Sequence, residues 1–187
     1  NGNTGKDLVQ GGTGTDAITD IVGNNRLGGG AGIDTLVGGT GRAMFIGGTG
    51  ADTITTGNGA DIIGFNKGDG ADIVNASTGT DDTLTLGGGI AYANLKLRKT
   101  GLDLILDASN GDQITFKDWY KTGVNNKSVL NLQVVADAMI AYNPAGTDPL
   151  LNKRVVDFNF QTVVNAFDAA LVANPHADQL ERQQCAV

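Results

Sequence analysis

The side chains best suited to chemistry in this chain are aspartates. Of its twenty acidic residues nineteen are Asp, and only Glu181 is Glu. Asp16, Asp34, Asp52 and Asp72 form one series, spaced by eighteen, eighteen and twenty residues. A second series runs Asp7, Asn25, Ala43 and Asp61 at a constant spacing of eighteen. Asp is a poorer helix former than Glu. Its short carboxylate favours turns, where it bonds nearby backbone or holds an ion close to it. Carboxylates at a fixed interval, interleaved with glycines, make an oxygen-only donor set. Such a set suits Ca²⁺, which takes about six to eight oxygen ligands at roughly 2.4 Å. Mg²⁺ fits it poorly, because it prefers a smaller octahedron that retains water.

Elements that place such carboxylates must repeat, and the chain aligns to itself at a nine-residue period. From Gly2 the units read GNTGKDLVQ, GGTGTDAIT, DIVGNNRLG, GGAGIDTLV, GGTGRAMFI, GGTGADTIT and TGNGADIIG. Phe65 and Asn66 then precede KGDGADIVN. The pattern is G-G-x-G-x-D-x-U-x, where U is a large apolar residue. The eighth position holds Val9, Ile18, Leu27, Leu36, Phe45, Ile54, Ile63 and Val74, all apolar. One inward side chain per short strand is what a tightly wound coil needs. Glycine turns the chain sharply because it tolerates positive φ. The spacing therefore predicts an all-β, right-handed parallel β-roll (β-helix), two units to a coil. Stacked strands lie about 4.8 Å apart, so two carboxylates from successive turns can bracket one ion. The predicted donors are Asp7, Asp16, Asp34, Asp52, Asp61 and Asp72, with carbonyl groups of Gly12, Gly14, Gly30, Gly32, Gly48 and Gly50. Three strong sites are expected at 16/34, 34/52 and 52/72. The other side, weakened by Asn25 and Ala43, is expected to hold weak sites or none.

The repeats occupy residues 1–75. Residues 76–135 read as a β-strand cap, with short strands at Thr83–Leu86, Leu95–Leu97, Leu102–Leu106, Gln113–Phe116 and Val129–Val134 separated by turn signals. Trp119 and Tyr120 are expected to plug the open end of the roll, since a bare end is a sticky sheet edge. Residues 136–187 form a helical tail. Phe160, Val163, Val164, Phe167, Leu171 and Val172 fall at helical spacing between Phe158 and Asn174. Pro175 ends that helix, and a second short helix is expected near Gln179–Gln184.

The nonapeptides, together with FNKGDGADIV, TDDTLTLGGGI, GLDLIL and GDQITFKDWY, resemble the RTX (repeats-in-toxin) family of haemolysin-type calcium-binding proteins. The resemblance covers roughly the first two thirds of the chain; the KDWY-to-VLNL passage departs from the usual acidic ending. It implies the C-terminal region of a type I secreted bacterial protein, with calcium ions and the type I secretion machinery as partners. The tail is similar to the region that carries the uncleaved C-terminal signal in that family. The location implied is secreted, extracellular or on the bacterial cell surface. The expected function is folding on Ca²⁺ outside the cell in support of export of a larger parent. The alternative is a structural segment of a calcium-dependent surface-layer protein or adhesin, with self-association.

Other classes find little support. A formal charge of −7 and few aromatics argue against nucleic-acid binding. Cys185 is the only cysteine, so no internal disulfide forms. No apolar run reaches transmembrane length. The absence of a leader and of an initiator Met suggests a piece of something longer. G-x-x-x-x-G-K-[ST], G-x-S-x-G and H-E-x-x-H are absent, and His176 is the single histidine. Asp148-Pro149 reads as a turn. No enzyme activity is expected.

Overall fold

The computed structural model describes residues 2–75, 77–87, 89–109, 111–123, 127–135, 143–148 and 153–174. Pro175, His176, Cys185 and the expected helix at 179–184 lie outside them.

The period of nine becomes alternating strands. β1 (Leu8–Thr13), β3 (Arg26–Gly32), β5 (Met44–Gly50) and β7 (Ile62–Asn66) stack in one sheet. β2 (Ala17–Thr19), β4 (Thr35–Val37), β6 (Thr53–Thr55) and β8 (Ala71–Val74) stack in the other. Every pairing within these two sets is parallel. The result is a β-solenoid of about 4 turns.

Register puts each eighth-position residue on its counterpart one turn away. One column runs Val9, Leu27, Phe45, Ile63 and on to Leu84. The other runs Ile18, Leu36, Ile54, Val74 and on to Phe116. All are buried except Val9, which belongs to the end strand and is half-buried against the core. Each fully buried side chain contributes about 1.5–3 kcal/mol. The inserted pair is accommodated without breaking a sheet: β7 runs on through Phe65 and Asn66, and Phe65 joins the core.

The later strands extend the same two sheets. β9 (Asp82–Gly87) lies parallel to β7, and β13 (Val129–Val135) lies parallel to β9. A 3₁₀ turn at Tyr92–Asn94 leads into β10 (Lys96–Thr100). β10, β11 (Asp103–Ser109) and β12 (Asp112–Phe116) form an antiparallel meander that joins the other sheet through β12 and β8. Five strands expected from sequence in this region are therefore present. Trp119 is fully buried, in edge-to-face contact with Phe116 and Phe160 at centroid distances of 5.6 and 5.7 Å. Tyr120 is partly buried, and its hydroxyl donates to Asp168 Oδ1 at 2.7 Å.

The helix α1 spans Phe160–Ala173. Its start differs from the expected Phe158, because Val155–Asn159 forms β14, antiparallel to β13. Asn159 ends that strand and caps the helix, accepting the Thr162 N–H at 2.8 Å. Phe160, Val164 and Phe167 are the buried face of α1. No described helix is long and apolar enough to cross a membrane.

Candidate metal centre

The sixth-position residues sit just before the strands that follow them, except Asp72, which lies in β8, and each series forms hydrogen bonds from turn to turn. Asp16 N–H donates to Asp34 Oδ1 at 2.8 Å, Asp34 N–H to Asp52 Oδ1 at 2.8 Å, and Asp52 N–H to Asp72 Oδ1 at 2.9 Å. On the opposite side Asp7 N–H donates to Asn25 Oδ1 at 3.0 Å, and Ala43 N–H to Asp61 Oδ1 at 2.7 Å. One carboxylate oxygen thus ties each turn to the next along the first series, while the second is broken at Ala43, which offers Asn25 no acceptor.

The second oxygen is the reactive one. Oδ2 of Asp7, Asp16, Asp34, Asp52 and Asp61 is buried, with no hydrogen-bond partner among the described residues. A buried charge without a partner is strongly unfavourable. Such oxygens call for a cation beside them. Asp34 and Asp52 have relative exposures of 1% and 0%, so water does not reach them freely.

First-position glycines open the space around these oxygens. A Cβ on Gly11 would lie 2.6 Å from both Asp16 Oδ2 and the Gly29 carbonyl oxygen. The same clash recurs at Gly29, with Asp34 Oδ2 and the Gly47 carbonyl. A carboxylate from one turn and a carbonyl from the next therefore converge on one gap. Sequence reading passed over Gly29 and Gly47 as donors; their place at the head of each repeat was the available signal.

The glycines expected to serve all have positive φ, Gly14 in the bend after β1 and the others toward the ends of β1, β3 and β5: Gly12 at 116°, Gly14 at 109°, Gly30 at 120°, Gly32 at 134°, Gly48 at 104° and Gly50 at 142°. They stack closely, so that the position of a Cβ on Gly30 is filled by the Gly12 carbonyl. Gly32 meets Gly14, Gly48 meets Gly30, and Gly50 meets Gly32 in the same way.

Burial raises the proton affinity of Asp52, Asp61 and Asp72. It pushes Asp72 up to about 7, helped by the charges of Asp52, Asp69 and Asp112. Asp61 rises to about 6, again chiefly by burial, with Asp82 adding repulsion. Asp52 is raised by burial and then by Asp34 and Asp69.

The second series runs further than its sequence spacing suggested. Asp61 N–H donates to Asp82 Oδ1 at 2.9 Å, making Asp82 the next rung. Here Thr56 replaces the first-position glycine, and its hydroxyl lies 2.9 Å from Asp82 Oδ2 and 2.8 Å from Ser77 Oγ. That oxygen is satisfied by hydroxyl groups. Asn25 is also self-sufficient, since its amide donates to the Val22 carbonyl at 3.3 Å.

Among the described residues no three His, Cys, Asp or Glu side chains converge as a ready cage. The donors fit a hard cation held by carboxylates and backbone carbonyls together. No protein-family model matches this chain, and no curated protein matches it.

Proposed function

We propose that this chain is a calcium-binding module of the RTX type, which folds on Ca²⁺ outside the cell and supports type I secretion of a larger parent. The observation that carries the reading is the column of buried Asp Oδ2 atoms without partners, which at Asp16 and Asp34 open on a gap shared with a backbone carbonyl. Ca²⁺ would supply the positive charge that this column lacks. Asp16, Asp34, Asp52 and Asp72 would hold it on one side of the solenoid, with Asp7 and Asp61 on the other. The carbonyl groups of Gly29 and Gly47 fit the donor set, and Gly12, Gly14, Gly30, Gly32, Gly48 and Gly50 permit the turns.

The chain's own residues explain why folding depends on the ion. Stacking the turns brings like charges together: Asp34 raises the proton affinity of Asp52, and Asp52 that of Asp72. A ligand bound to the folded state at a hundred times its Kd adds about 2.7 kcal/mol. Extracellular calcium modules bind at about 10⁻⁴–10⁻³ M. At low free calcium the chain stays open enough to pass a secretion channel, and at the cell surface or beyond it folds. The role is one of binding and assembly, without catalysis or nucleic acid.

A calcium titration of the metal-free chain, followed by circular dichroism and light scattering, tests this. The expected result is a coil-to-β transition between sub-millimolar and millimolar calcium with the chain monomeric. Full β structure in EGTA would refute it. A transition accompanied by assembly would favour a surface-layer or adhesin segment.

A further inference from the structure

The turn at Asp20–Asn25 carries a buried acid outside the sixth-position series. Asp20 stands at the head of its unit, where Gly2, Gly11, Gly29, Gly38 and Gly47 stand in others. It has a relative exposure of 3%, and both of its carboxylate oxygens are buried without a hydrogen-bond partner. Its backbone N–H is fixed by the Val37 carbonyl at 2.9 Å. A Cβ on Gly2 would lie 2.8 Å from Asp7 Oδ2 and closer still to Asp20 Oδ2, so the two carboxylates face one gap. Asp7 Oδ2 is likewise buried and unpartnered. No ion pair to Asp7 or Asp20 forms among the described residues.

We infer that Asp7 and Asp20 form a further Ca²⁺ site, on the side of the solenoid whose repeat pattern is degenerate. The arrangement parallels the intact side. There, Asp16 Oδ2 shares its gap with the carbonyl of Gly29, the first residue of the next turn. Here, Asp7 Oδ2 shares its gap with the side chain of the first residue of the next turn. Asn25 removes one negative charge from this pair of turns, and Asp20 restores it from a different position. Two buried carboxylate oxygens facing one gap are untenable as bare charges. A hard divalent cation neutralises both carboxylates at once and takes oxygen donors by preference. Asn25 remains satisfied by its own turn and need not contribute.

This site rests on the calcium reading above, and the test separates the two. Equilibrium dialysis with Ca²⁺ on the full chain counts bound ions, and circular dichroism reports folding of the same samples. Wild-type chain that binds no Ca²⁺ refutes the calcium reading and this site with it. If the wild type binds, Asp20→Asn is expected to bind one ion fewer while keeping its β signal in saturating calcium. With wild type and variant both folded in saturating calcium, urea unfolding of the same samples reports the structural contribution of residue 20. An unchanged ion count overturns the site, and a lower unfolding midpoint at that same count marks Asp20 as a structural residue. Should Asp20→Asn fail to fold in calcium, Asp20→Gly restores the residue of the sister turns. A count one below wild type then supports the site, and an equal count overturns it.

Discussion

Asp34, Asp52 and Asp61 each have two oxygens with different tasks. Oδ1 accepts a backbone N–H from the neighbouring turn. Oδ2 is buried without a hydrogen-bond partner. Burial also fixes a pH dependence. Asp72 is raised to about 7 and Asp61 to about 6 from an ordinary value of 3.8, burial being the main cause in both. The metal-free folded chain then binds more protons than the unfolded chain between those limits. Where the native state binds more protons, stability falls as pH rises. The contribution is complete below the unfolded value and is lost as pH climbs through the folded one. In EGTA, where the chain is largely coil, the residual β signal should therefore be larger at about pH 5 than at about pH 8. With saturating calcium the unfolding midpoint should instead be higher at about pH 8, because protons compete for the same oxygens. Circular dichroism in EGTA and thermal melts in calcium check this, and a β signal in EGTA that rises with pH would contradict it.

Turns carry the elements, and their glycines are the least replaceable residues in the solenoid. Gly30 has φ 120° and stacks on the Gly12 carbonyl. Gly30→Ala meets both backbone strain, about 1–3 kcal/mol, and a backbone clash that no side chain can relieve. The expected outcome is a lower denaturation midpoint in saturating calcium with the ion count kept, unlike a ligand substitution, which loses an ion. A midpoint for Gly30→Ala equal to that of wild type would show that the turn tolerates a side chain. The elements were largely legible because one constraint governs them: an apolar residue at every eighth position leaves no other strand register. What escaped notice lies where that constraint is silent. Asp82 follows Asp61 by twenty-one residues, outside the period, and only the ladder bond reveals it. Asp20 occupies a glycine position and looks like decay of the repeat, until its burial is seen. β14 was hidden because Phe158 suits the helical spacing of α1, whereas its partner strand β13 lies more than twenty residues earlier. Long-range pairing of that kind leaves no local signal.

At the scale of the whole molecule, a solenoid must close its ends, since an unpaired sheet edge invites further pairing. One end is closed by antiparallel elements on both sheets: β10 and β11 extend beyond β12, and β14 extends beyond β13. The aromatic cluster of Phe116, Trp119 and Phe160 joins these additions, bringing β12, the turn after it and α1 together. The cap is built by apolar packing, the turns by carboxylates, and the two contributions are separable. Trp119→Ala removes the centre of the cluster, and truncating a buried aromatic costs about 3–5 kcal/mol. Its expected effect is a matching loss in urea-unfolding free energy in saturating calcium. The number of Ca²⁺ ions bound below the transition should stay that of wild type, because no rung of either ladder from Asp7 to Asp82 touches Trp119 by hydrogen bond. Loss of ions in step with loss of stability would instead mean that the cap and the turns fold as one unit, with calcium reading the integrity of the whole solenoid.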